Sequence, residues 1–500
     1  MSSKIISLSH LENKKEFILG YGHFSTIHPG HIRYLKYAKS LGSYLVIALK
    51  GDGELDNKQT KYQFNQSERA EALSMLDIAD ALILLKDDEI DEIVNKTNPK
   101  LLILGKQFEK DAEEKVSLSI NLLSKRGISV IFHGGEITYS NSGLLTSSEE
   151  EMRKKRKREF LFACKRQSIN QSDLLNSIHS WSETSLIVIG DTIVDRYVAC
   201  EALGMSAEAP IVVLKELENR DYCGGAAVVA SHIRSLGAKC KLISVIGDDT
   251  YGEYVRKSFV KDDIIDGLIN DKSRPTTFKK RYLVDNQKLF RVTRLEQSSI
   301  SKIVEEKVIK ELEDSAETAN GIVISDFVYG VITSNVLKKI DQLAKKFKIP
   351  IFGDLQCSSQ VGSILKFKNL SLLCPNEREA RISLHEKDLD LEAISHQIIH
   401  NTNSSNLIMK LGSEGFIVYY TKDNKIYNQA FPALSINPID VTGAGDSLLA
   451  VMSVGLSSSQ EIVKTSAIAC CMASLAVERM GNRSISVKEL IDSVIQNTSN

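Results

Sequence analysis

The segment IDVTGAGDSLLAVMSVGL, residues 439–456, places a turn of small residues directly before an apolar run with the length of a helix. In such a turn, the backbone amides of Gly443, Ala444 and Gly445 can point together into the space at the start of the helix. Converging amides there bind an anion such as phosphate without a cationic side chain. Asp446 adds a carboxylate beside them, so the pattern predicts phosphoryl transfer to an alcohol, with Asp446 as base and the amides as anion hole. The alternative is that Asp446 only caps the helix.

Outside this segment, strand-like apolar runs alternate with helical patterns along almost the whole chain. This alternation predicts an α/β protein with largely parallel sheets. The runs are residues 16–21, 44–49, 81–85, 101–104 and 128–132, and then 186–189, 240–246, 321–325, 351–354, 370–374 and 407–410. Residues 276–293 differ, because two alternating runs surround Asp285 and Asn286 and predict a hairpin that forms part of a lid over a pocket.

The segment TSSEEEMRKKRKREF, residues 146–160, separates the two halves. Acidic residues come first and basic residues later, which is the order that a helix dipole favours. We therefore predict a first domain at 1–147, a charged helical linker at 148–181 and a second domain at 182–500. The basic run 153–158 is interpreted as the solvated face of the linker helix. The alternative is a nucleic-acid-binding patch, as in a scaffold protein.

The composition narrows the class of protein. Hydrophobic residues make up 42% of the 500 and charged residues 25%, which excludes a wholly disordered chain. The 63 basic and 64 acidic residues leave a net charge of −1, so no global attraction to nucleic acid or anionic lipid is expected. The absence of a long apolar run and of a secretory signal predicts no membrane partner. Eight cysteines without a C-x-x-C pattern are typical of reduced thiols, so we expect a cytoplasmic protein.

A second glycine-bearing segment, GYGHFSTIHPGH at residues 20–31, directly follows the first predicted strand. Its glycines, which let a ligand approach the backbone closely, are Gly20, Gly22 and Gly30. His28 and His31 can converge near the start of a helix that Pro29 is suited to begin, where free N–H groups attract phosphate. A histidine pair without a neighbouring carboxylate or cysteine suits donation to phosphate oxygens better than metal binding. The segment predicts transfer of a nucleotidyl group; the alternative is two incidental histidines in a turn.

Residues 15–145 resemble the cytidylyltransferase-like nucleotidyltransferase superfamily, whose signature is G-x-F-D-x-x-H-x-G-H. The signature positions kept here are Gly22, Phe24, His28, Gly30 and His31. Ser25 stands at the aspartate position, where its hydroxyl can form a hydrogen bond but carries no negative charge. The resemblance implies a Rossmann-like domain with His28 and His31 as catalytic residues and ATP or CTP as nucleotidyl donor. The residues that it implies for nucleotide binding are Gly22, Phe24, Gly30, Arg69, Lys106, Ser140 and Ser142.

Residues 440–446 are similar to the D-T-x-G-A-G-D signature of the ribokinase-like (PfkB) carbohydrate kinases, and the likeness extends over about residues 186–494. It implies an α/β/α domain with a small β lid, ATP as phosphoryl donor, Asp446 as base and the amides of Gly443, Ala444 and Gly445 as anion hole. The residues implied to support Mg²⁺ indirectly are Asn376 and Glu379, and those implied to hold a monovalent cation, K⁺, are Asp440 and Thr442. The other implied residues are Asn376, Lys410, Gly412 and Gly415 for nucleotide, and Asp191, Asp195, Glu208, Gly224 and Gly225 for substrate.

Within these kinases, D-R-Y at 195–197, S-A-E-A-P at 206–210 and G-G-A-A at 224–227 look most like heptose-7-phosphate kinases. Such kinases are often fused to a nucleotidyltransferase domain of the kind described above, although the better known fusion has its kinase first. Three residues depart from the pattern. Val228 replaces an asparagine, and Gln356 and Tyr329 stand where lysines of the D-P-K and S-D-Y-x-K-G stretches are expected. These departures point to a changed sugar or a changed phosphate position.

The resemblance therefore implies a bifunctional sugar-activating enzyme. The kinase domain would phosphorylate a sugar phosphate, heptose 7-phosphate at O1, and the first domain would join a sugar 1-phosphate to a nucleotide and release pyrophosphate. A carbohydrate kinase whose first domain only senses nucleotide is the alternative, because Ser25 and the single glycine beside Lys106 depart from the pattern. The expected partners are small-molecule sugar phosphates, nucleoside triphosphates and a second copy of the chain in a dimer.

Overall fold

The computed structural model describes residues 4–11, 14, 16–24, 27, 29–52, 64–86, 89–105, 108, 114–133, 149–285, 287–357, 362–386, 389–422 and 425–499. The chain divides into two compact units. The first comprises Met1–Thr146 with Glu386–His396, and the second comprises Ser147–His385 with Gln397–Asn500. Each unit has its own sheet, as the alternating runs predict.

The first unit is built on a parallel sheet of five strands in the order β3-β2-β1-β4-β5. The strands are β1 (Ile18–Gly22), β2 (Leu45–Leu49), β3 (Ala81–Leu84), β4 (Leu101–Gly105) and β5 (Ser129–His133), and the helices are α1 (Pro29–Ser40), α2 (Gln66–Met75), α3 (Ile90–Lys96) and α4 (Glu114–Lys125). The first, second and fourth strands are buried throughout, as expected where helices cover both faces of a parallel sheet. The strand order reverses between β1 and β4, so ligands are expected at the carboxyl ends of these two strands.

The second unit contains a nine-stranded sheet in the order β10-β9-β6-β13-β14-β15-β16-β17-β18. Its pairs are parallel up to β16, and the last two strands are antiparallel. The strands are β6 (Ser185–Gly190), β9 (Lys239–Ile246), β10 (Ile265–Asn270), β13 (Gly321–Asp326), β14 (Ile351–Leu355), β15 (Leu372–Leu373), β16 (Asn406–Lys410), β17 (Phe416–Lys422) and β18 (Lys425–Phe431).

The main helices of this unit are α5 (Glu149–Arg166), α6 (Gln171–His179), α7 (Ala226–Ser235), α8 (Thr250–Asp262), α9 (Lys302–Ala316), α10 (Ser334–Phe347), α11 (Glu377–Leu384), α12 (Leu391–Thr402), α13 (Ala444–Ser457), α14 (Ile462–Val477) and α15 (Val487–Thr498). The largest core joins α5, α6, α7, α8, α13, α14 and α15 to the central strands. The first residues of α12 fall in the first unit.

A separate four-stranded sheet, called the lid here, has the order β12-β11-β7-β8. Its strands are β7 (Thr192–Met205), β8 (Val212–Gly225), β11 (Thr277–Val284) and β12 (Gln287–Arg294). The antiparallel pair β11–β12 confirms the predicted hairpin, although Asn286 of its turn lies outside the described residues. Strand β7 pairs in parallel with β11, with Lys279 opposite Asp195 and Arg281 opposite Tyr197, so these four side chains share one face.

The segment expected as a linker is helical but is not solvated along its whole length. The side chains of Phe160, Ala163 and Cys164 on α5 lie in the core of the second unit, together with the fully buried Trp181. Most of the basic run faces solvent, and Arg156 donates to the carbonyl of Ser413 at 3.0 Å. None of the helices in the described ranges combines the length and apolar character needed to cross a membrane.

Candidate active sites

The turn that precedes α13 contains Gly443, the first residue of the predicted anion hole. Gly443 has φ +83°, a left-handed conformation that side chains rarely adopt, and the helix begins at the next residue. A β carbon at Gly443 would lie 2.5 Å from Oδ1 of Asn482. The glycine therefore lets the chain turn directly into α13, whose first amides have no partner within the helix. Their part as an anion hole stays a prediction.

Asp446 lies in the first turn of α13 and is 4% exposed. Its Oδ1 accepts a hydrogen bond of 2.8 Å from Nε2 of Gln356, the residue found in place of an expected lysine. Burial, followed by the negative charge of Asp354, raises the pKa of Asp446 to about 7. A carboxyl group with a pKa near the working pH is suited to accept a proton and release it again.

Lys410 provides a positive charge next to this turn. Its Nζ lies 2.9 Å from Oδ1 and 2.7 Å from Oδ2 of Asp354, because β14 and β16 end at the same edge of the sheet. A β carbon built at Gly445 would lie 3.2 Å from the same Nζ. Burial favours the neutral amine, but the carboxylates of Asp354 and Glu379 raise the pKa of Lys410, so the ammonium stays charged.

Asn376 and Glu379 form the N-terminal cap of α11. Oδ1 of Asn376 accepts from the amide of Glu379 at 2.8 Å, and Oε2 of Glu379 accepts from the amide of Asn376 at 2.8 Å. Oε1 of Glu379 accepts from the amide of Cys357, and Asn376 forms a parallel bridge with Lys410. The described residues contain no group of three or more histidine, cysteine or acidic side chains that could hold a metal ion. This donor set fits only an indirect part in placing Mg²⁺.

Two further glycines shape the turn between β16 and β17. Gly412 has φ +60° and Gly415 has φ +93°, and the amide of Leu411 donates to the carbonyl of Gly415 at 2.8 Å. A β carbon at Gly415 would lie 2.1 Å from the carbonyl oxygen of Phe431. The predicted nucleotide-binding glycines therefore define the backbone just beyond Lys410.

Asp195, Gly224 and Arg281 meet on the inner face of the lid. The Asp195 carboxylate forms an ion pair with Arg281 and accepts from Nδ2 of Asn482 at 3.3 Å. A β carbon at Gly224 would lie 2.4 Å from Oδ2 of Asp195, so a side chain there would displace this carboxylate. Because Asn482 also lies beside Gly443, these residues are next to the turn that precedes α13. Arg281 and Asn482 are not among the residues predicted from the sequence, although Arg281 lies in the alternating run 276–293.

Asp191 and Glu208 do not join this cluster. The Asp191 carboxylate accepts from the amides of Phe327 at 2.8 Å, Tyr329 at 3.2 Å and Val331 at 3.3 Å, and it is 2% exposed. Burial and the charge of Asp326 raise its pKa to about 6. The carboxylate therefore holds the loop after β13, and substrate binding by Asp191 stays a prediction.

Gly225 has φ +62°, and a β carbon there would lie 2.2 Å from the carbonyl oxygen of Asp191, so it too shapes backbone. Glu208 is exposed in the turn between β7 and β8. Met205, the last residue of β7, lies ten positions beyond Asp195, which at an extended rise is about 33 Å. Glu208 therefore lies at the far end of the β7–β8 hairpin, away from Asp195 of the same chain.

The predicted monovalent-cation pair, Asp440 and Thr442, is surrounded by donors. Oδ1 of Asp440 accepts from Nζ of Lys288 at 2.6 Å and from the amide of Thr442 at 2.9 Å. Its Oδ2 accepts from the hydroxyl of Tyr197 at 2.8 Å and from the amide of Gly481 at 3.2 Å. Nζ of Lys288 also donates to the Thr442 hydroxyl at 2.9 Å. These oxygens already hold a cation, so the residues present do not fit an added K⁺.

In the first unit, β1 brings Gly20 and Gly22 to the switch point of the sheet. A β carbon at Gly20 would lie 2.6 Å from Cδ1 of Ile47, and one at Gly22 would lie 2.9 Å from Cε2 of Phe24. Phe24 has φ +51° and its ring centroid lies 5.0 Å from that of His31 on α1, which also contains Gly30. The predicted residues outside the described ranges are Ser25, His28, Lys106, Ser140 and Ser142.

Arg69 lies on α2 and is 1% exposed. Its guanidinium donates to the carbonyl of His23, to that of Lys50 at 3.0 Å, to that of Phe64 at 3.1 Å and to Oδ1 of Asp52 at 2.6 Å. These bonds hold the segments that follow β1 and β2. Nucleotide binding by Arg69 stays a prediction, while its structural part is to fix the backbone after Gly22.

Comparison with known families agrees with the two units. Residues 183–489 match the model of the pfkB family of carbohydrate kinases, and residues 19–157 match the cytidylyltransferase-like model. The crystal structure of phosphofructokinase-2 from Escherichia coli in complex with potassium superposes with a TM-score of 0.53 at 16% identity, covering 63% of this chain and 99% of that one. The same enzyme with substrates and products also gives 0.53, at 15% identity over 63% of this chain and all of that one (100%).

Curated relatives carry the name bifunctional protein HldE. The Campylobacter jejuni protein is 33% identical over 315 residues, which cover 62% of this chain and 65% of the relative. The Geotalea uraniireducens protein is 30% identical over 314 residues, covering 62% of each chain. The chain therefore matches less than two thirds of the length of these relatives.

Proposed function

Because this chain belongs to the pfkB family of carbohydrate kinases, we propose that its second unit transfers the γ-phosphate of ATP to a hydroxyl group of a sugar phosphate. The observation that carries the proposal is Asp446, a buried carboxyl with a pKa of about 7 in the first turn of the helix that begins directly after Gly443. The amides of that turn are the proposed anion hole. Base and anion hole in one turn are what phosphoryl transfer to an alcohol requires.

In the proposed reaction, the sugar hydroxyl oxygen attacks the γ-phosphorus while its proton passes to Asp446. The bond between the γ-phosphorus and the bridging oxygen of ADP breaks, and ADP leaves with the electron pair. The amides at the start of α13 stabilise the charge on the transferred group, and the Lys410 ammonium adds positive charge beside Gly445. Mg²⁺ bound with the nucleotide would neutralise phosphate charge, with Asn376 and Glu379 fixing the nearby backbone.

Heptose 7-phosphate, phosphorylated at O1, is the substrate that we propose. The relatives named bifunctional protein HldE support it, as do the D-R-Y, S-A-E-A-P and G-G-A-A stretches. The Arg281 guanidinium beside Asp195 offers positive charge for a phosphate-bearing sugar on the inner face of the lid. Val228 and Gln356 are the reasons to test other sugar phosphates in the same assay.

For the first unit, we propose nucleotidyl transfer from ATP or CTP to a sugar 1-phosphate, with release of pyrophosphate. The cytidylyltransferase-like match and the glycines at the carboxyl end of β1 support it. His31, placed on α1 beside Phe24, would donate to phosphate oxygens, together with His28. With a 7-phosphate substrate, a separate phosphatase must act between the two steps, because the kinase product carries two phosphates.

A monovalent cation is not part of this proposal. The potassium complex of E. coli phosphofructokinase-2 describes that enzyme, whereas the Asp440 carboxylate here is already occupied by donors that include the Lys288 ammonium. The oxygens that would coordinate K⁺ are therefore committed within the chain.

A second copy of this chain is the proposed partner of the lid. Large apolar side chains in the outer half of the β7–β8 hairpin are exposed, namely Leu203, Met205, Ile211, Val212 and Leu217. Apolar surface of this kind on one projecting sheet is typical of an interface, and a two-fold axis would bury both copies together. Light scattering should give twice the chain mass of 55.5 kDa, and Ile211→Lys should give the monomer mass.

One phosphorus-NMR experiment tests both activities. The full chain is incubated with ATP or CTP and a panel of sugar phosphates, and new phosphate monoesters, nucleotide-sugars and pyrophosphate are followed separately. We expect Asp446→Asn to slow only the formation of the kinase product and His31→Ala to slow only pyrophosphate release. If pyrophosphate never appears while nucleotide still binds the first unit, the nucleotide-sensing alternative replaces the proposed transferase.

A further inference from the structure

Lys288 connects the lid to the loop that leads into α13. It lies on β12, and its Nζ contacts Oδ1 of Asp440 at 2.6 Å and the hydroxyl of Thr442 at 2.9 Å. The Asp440 side chain is fully buried, whereas that of Lys288 is 36% exposed. Lys288 therefore reaches from a surface strand to a buried carboxylate. If the lysine were removed, water could not take its place, and the Asp440 charge would be left buried without a counter-charge.

The buried carboxylate needs a positive charge close by. Its other hydrogen-bond partners are neutral donors: the amides of Thr442 and Gly481 and the hydroxyl of Tyr197. The Arg281 guanidinium, whose charge also acts on Asp440, is already paired with Asp195. Although burial would raise the pKa of Asp440, the Lys288 hydrogen bond leads the contacts that lower it, so Asp440 remains an anion. Without the Lys288 ammonium, this anion would lie three residues before Gly443 and repel an incoming phosphate group.

Potassium and an alkylammonium group carry the same single charge and both bind oxygen atoms. The Asp440 carboxylate and the Thr442 hydroxyl are oxygen ligands of the kind that K⁺ takes, and Lys288 Nζ contacts both of them. We propose that the Lys288 ammonium is a built-in replacement for a monovalent cation, which makes the kinase independent of K⁺. This inference rests on the proposed kinase function of the same site.

The decisive comparison is between K⁺ and tetramethylammonium, which is too large to enter such a site. Kinase turnover of the unaltered chain should be the same, within about a factor of two, in either salt at equal ionic strength. Lys288→Met should lose turnover by about tenfold or more in tetramethylammonium, because it leaves the buried carboxylate unpaired. Adding KCl should restore turnover to this variant.

Thermal unfolding provides a readout that does not depend on activity. KCl should raise the Tm of Lys288→Met, and of Lys288→Gln as a second variant, but should leave the Tm of the unaltered chain unchanged. Lys280→Met is the matched control, since Lys280 lies on the neighbouring strand β11 and pairs with the exposed Glu216 instead. The control should show no response to K⁺ by either measurement.

Activation of the unaltered chain by K⁺ would overturn the proposal, as would Lys288 variants whose turnover and Tm ignore K⁺. A chain that lacks kinase activity in every salt would instead contradict the proposed function. In that case the Tm comparison still decides whether Lys288 occupies the cation position.

Discussion

Nζ of Lys410 contacts both carboxylate oxygens of Asp354, at 2.9 Å and 2.7 Å, on the edge of the sheet that faces the Gly445 turn. Gln356, two residues after Asp354, stands where the kinase pattern has a lysine, and its amide contacts Asp446 at 2.8 Å. The positive charge that is missing at 356 is thus present at 410, on a different strand. One cation, the Lys410 ammonium, thus acts on the buried carboxyl groups of Asp354 and Asp446.

Replacing Lys410 should therefore affect both stability and turnover. Lys410→Met leaves Asp354 buried without a counter-charge, so we expect the free energy of unfolding to fall by about 3–5 kcal/mol. The double variant Asp354→Asn/Lys410→Met should recover most of this loss, which urea unfolding measures.

The part played by the positive charge is tested by moving the lysine from position 410 to position 356. Lys410→Thr combined with Gln356→Lys should regain a substantial part of the turnover lost in Lys410→Thr alone. Turnover of the double variant that stays at the level of the single variant would show that the cation must come from strand β16.

Asp446→Asn should lower kcat by on the order of 10²–10⁴, since the amide cannot accept the proton. ATP binding, measured by calorimetry, should persist because the backbone amides remain. Asp314→Asn, at an exposed position of α9, is the control and should keep full turnover. Near-complete turnover of Asp446→Asn would remove this residue from the role of base.

The pH profile should report the Asp446 carboxyl. With a pKa of about 7, Asp446 takes up a proton as the pH falls, so kcat/KM should fall about tenfold per pH unit on the acid side of that value. A rate that stays level down to about pH 5 would contradict this assignment.

The raised pKa of Asp446 also makes the stability of the folded chain depend on pH. The folded chain binds this proton more tightly than the unfolded chain, so the Asp446 contribution stabilises below the ordinary carboxyl pKa of 3.8 and is lost as the pH rises to about 7. Asp446→Asn should therefore raise the Tm above neutral pH and have little effect in acid, as differential scanning calorimetry can show.

Gly224→Ala should weaken sugar binding more than ATP binding. The added β carbon would lie 2.4 Å from Oδ2 of Asp195 and force that carboxylate away from Arg281. We expect the KM for the sugar phosphate to rise by about tenfold or more, with the KM for ATP changed far less. Equal changes in both constants would place Asp195 outside the sugar site.

The sequence predicted best those features that depend on residues close together in the chain, such as strands and turns. Apolar runs predicted the main strands, and the small residues at 443–445 predicted the turn before α13 because the backbone there permits little else. The β7–β8 hairpin was missed because much of it is exposed and charged, as at Glu216, Glu218 and Arg220, and it carries no regular apolar alternation.

Side-chain contacts between residues far apart in the chain could not be predicted from the sequence. Lys288 meets Asp440 across 152 positions, and Asn482 meets Asp195 across 287. Asp191 and Arg69 occupy family positions, yet their polar atoms are committed to backbone amides and carbonyls, which only the fold reveals.

The Asp440 carboxylate receives one donor from β7, through Tyr197, and another from β12, through Lys288. Strands from both hairpins of the sheet are thus anchored to a single side chain just ahead of α13. Any outward swing of that sheet must first release this anchor. In deuterium-labelling experiments, amide protons of both hairpins should consequently open in one concerted event, at a rate that Asp440→Asn accelerates.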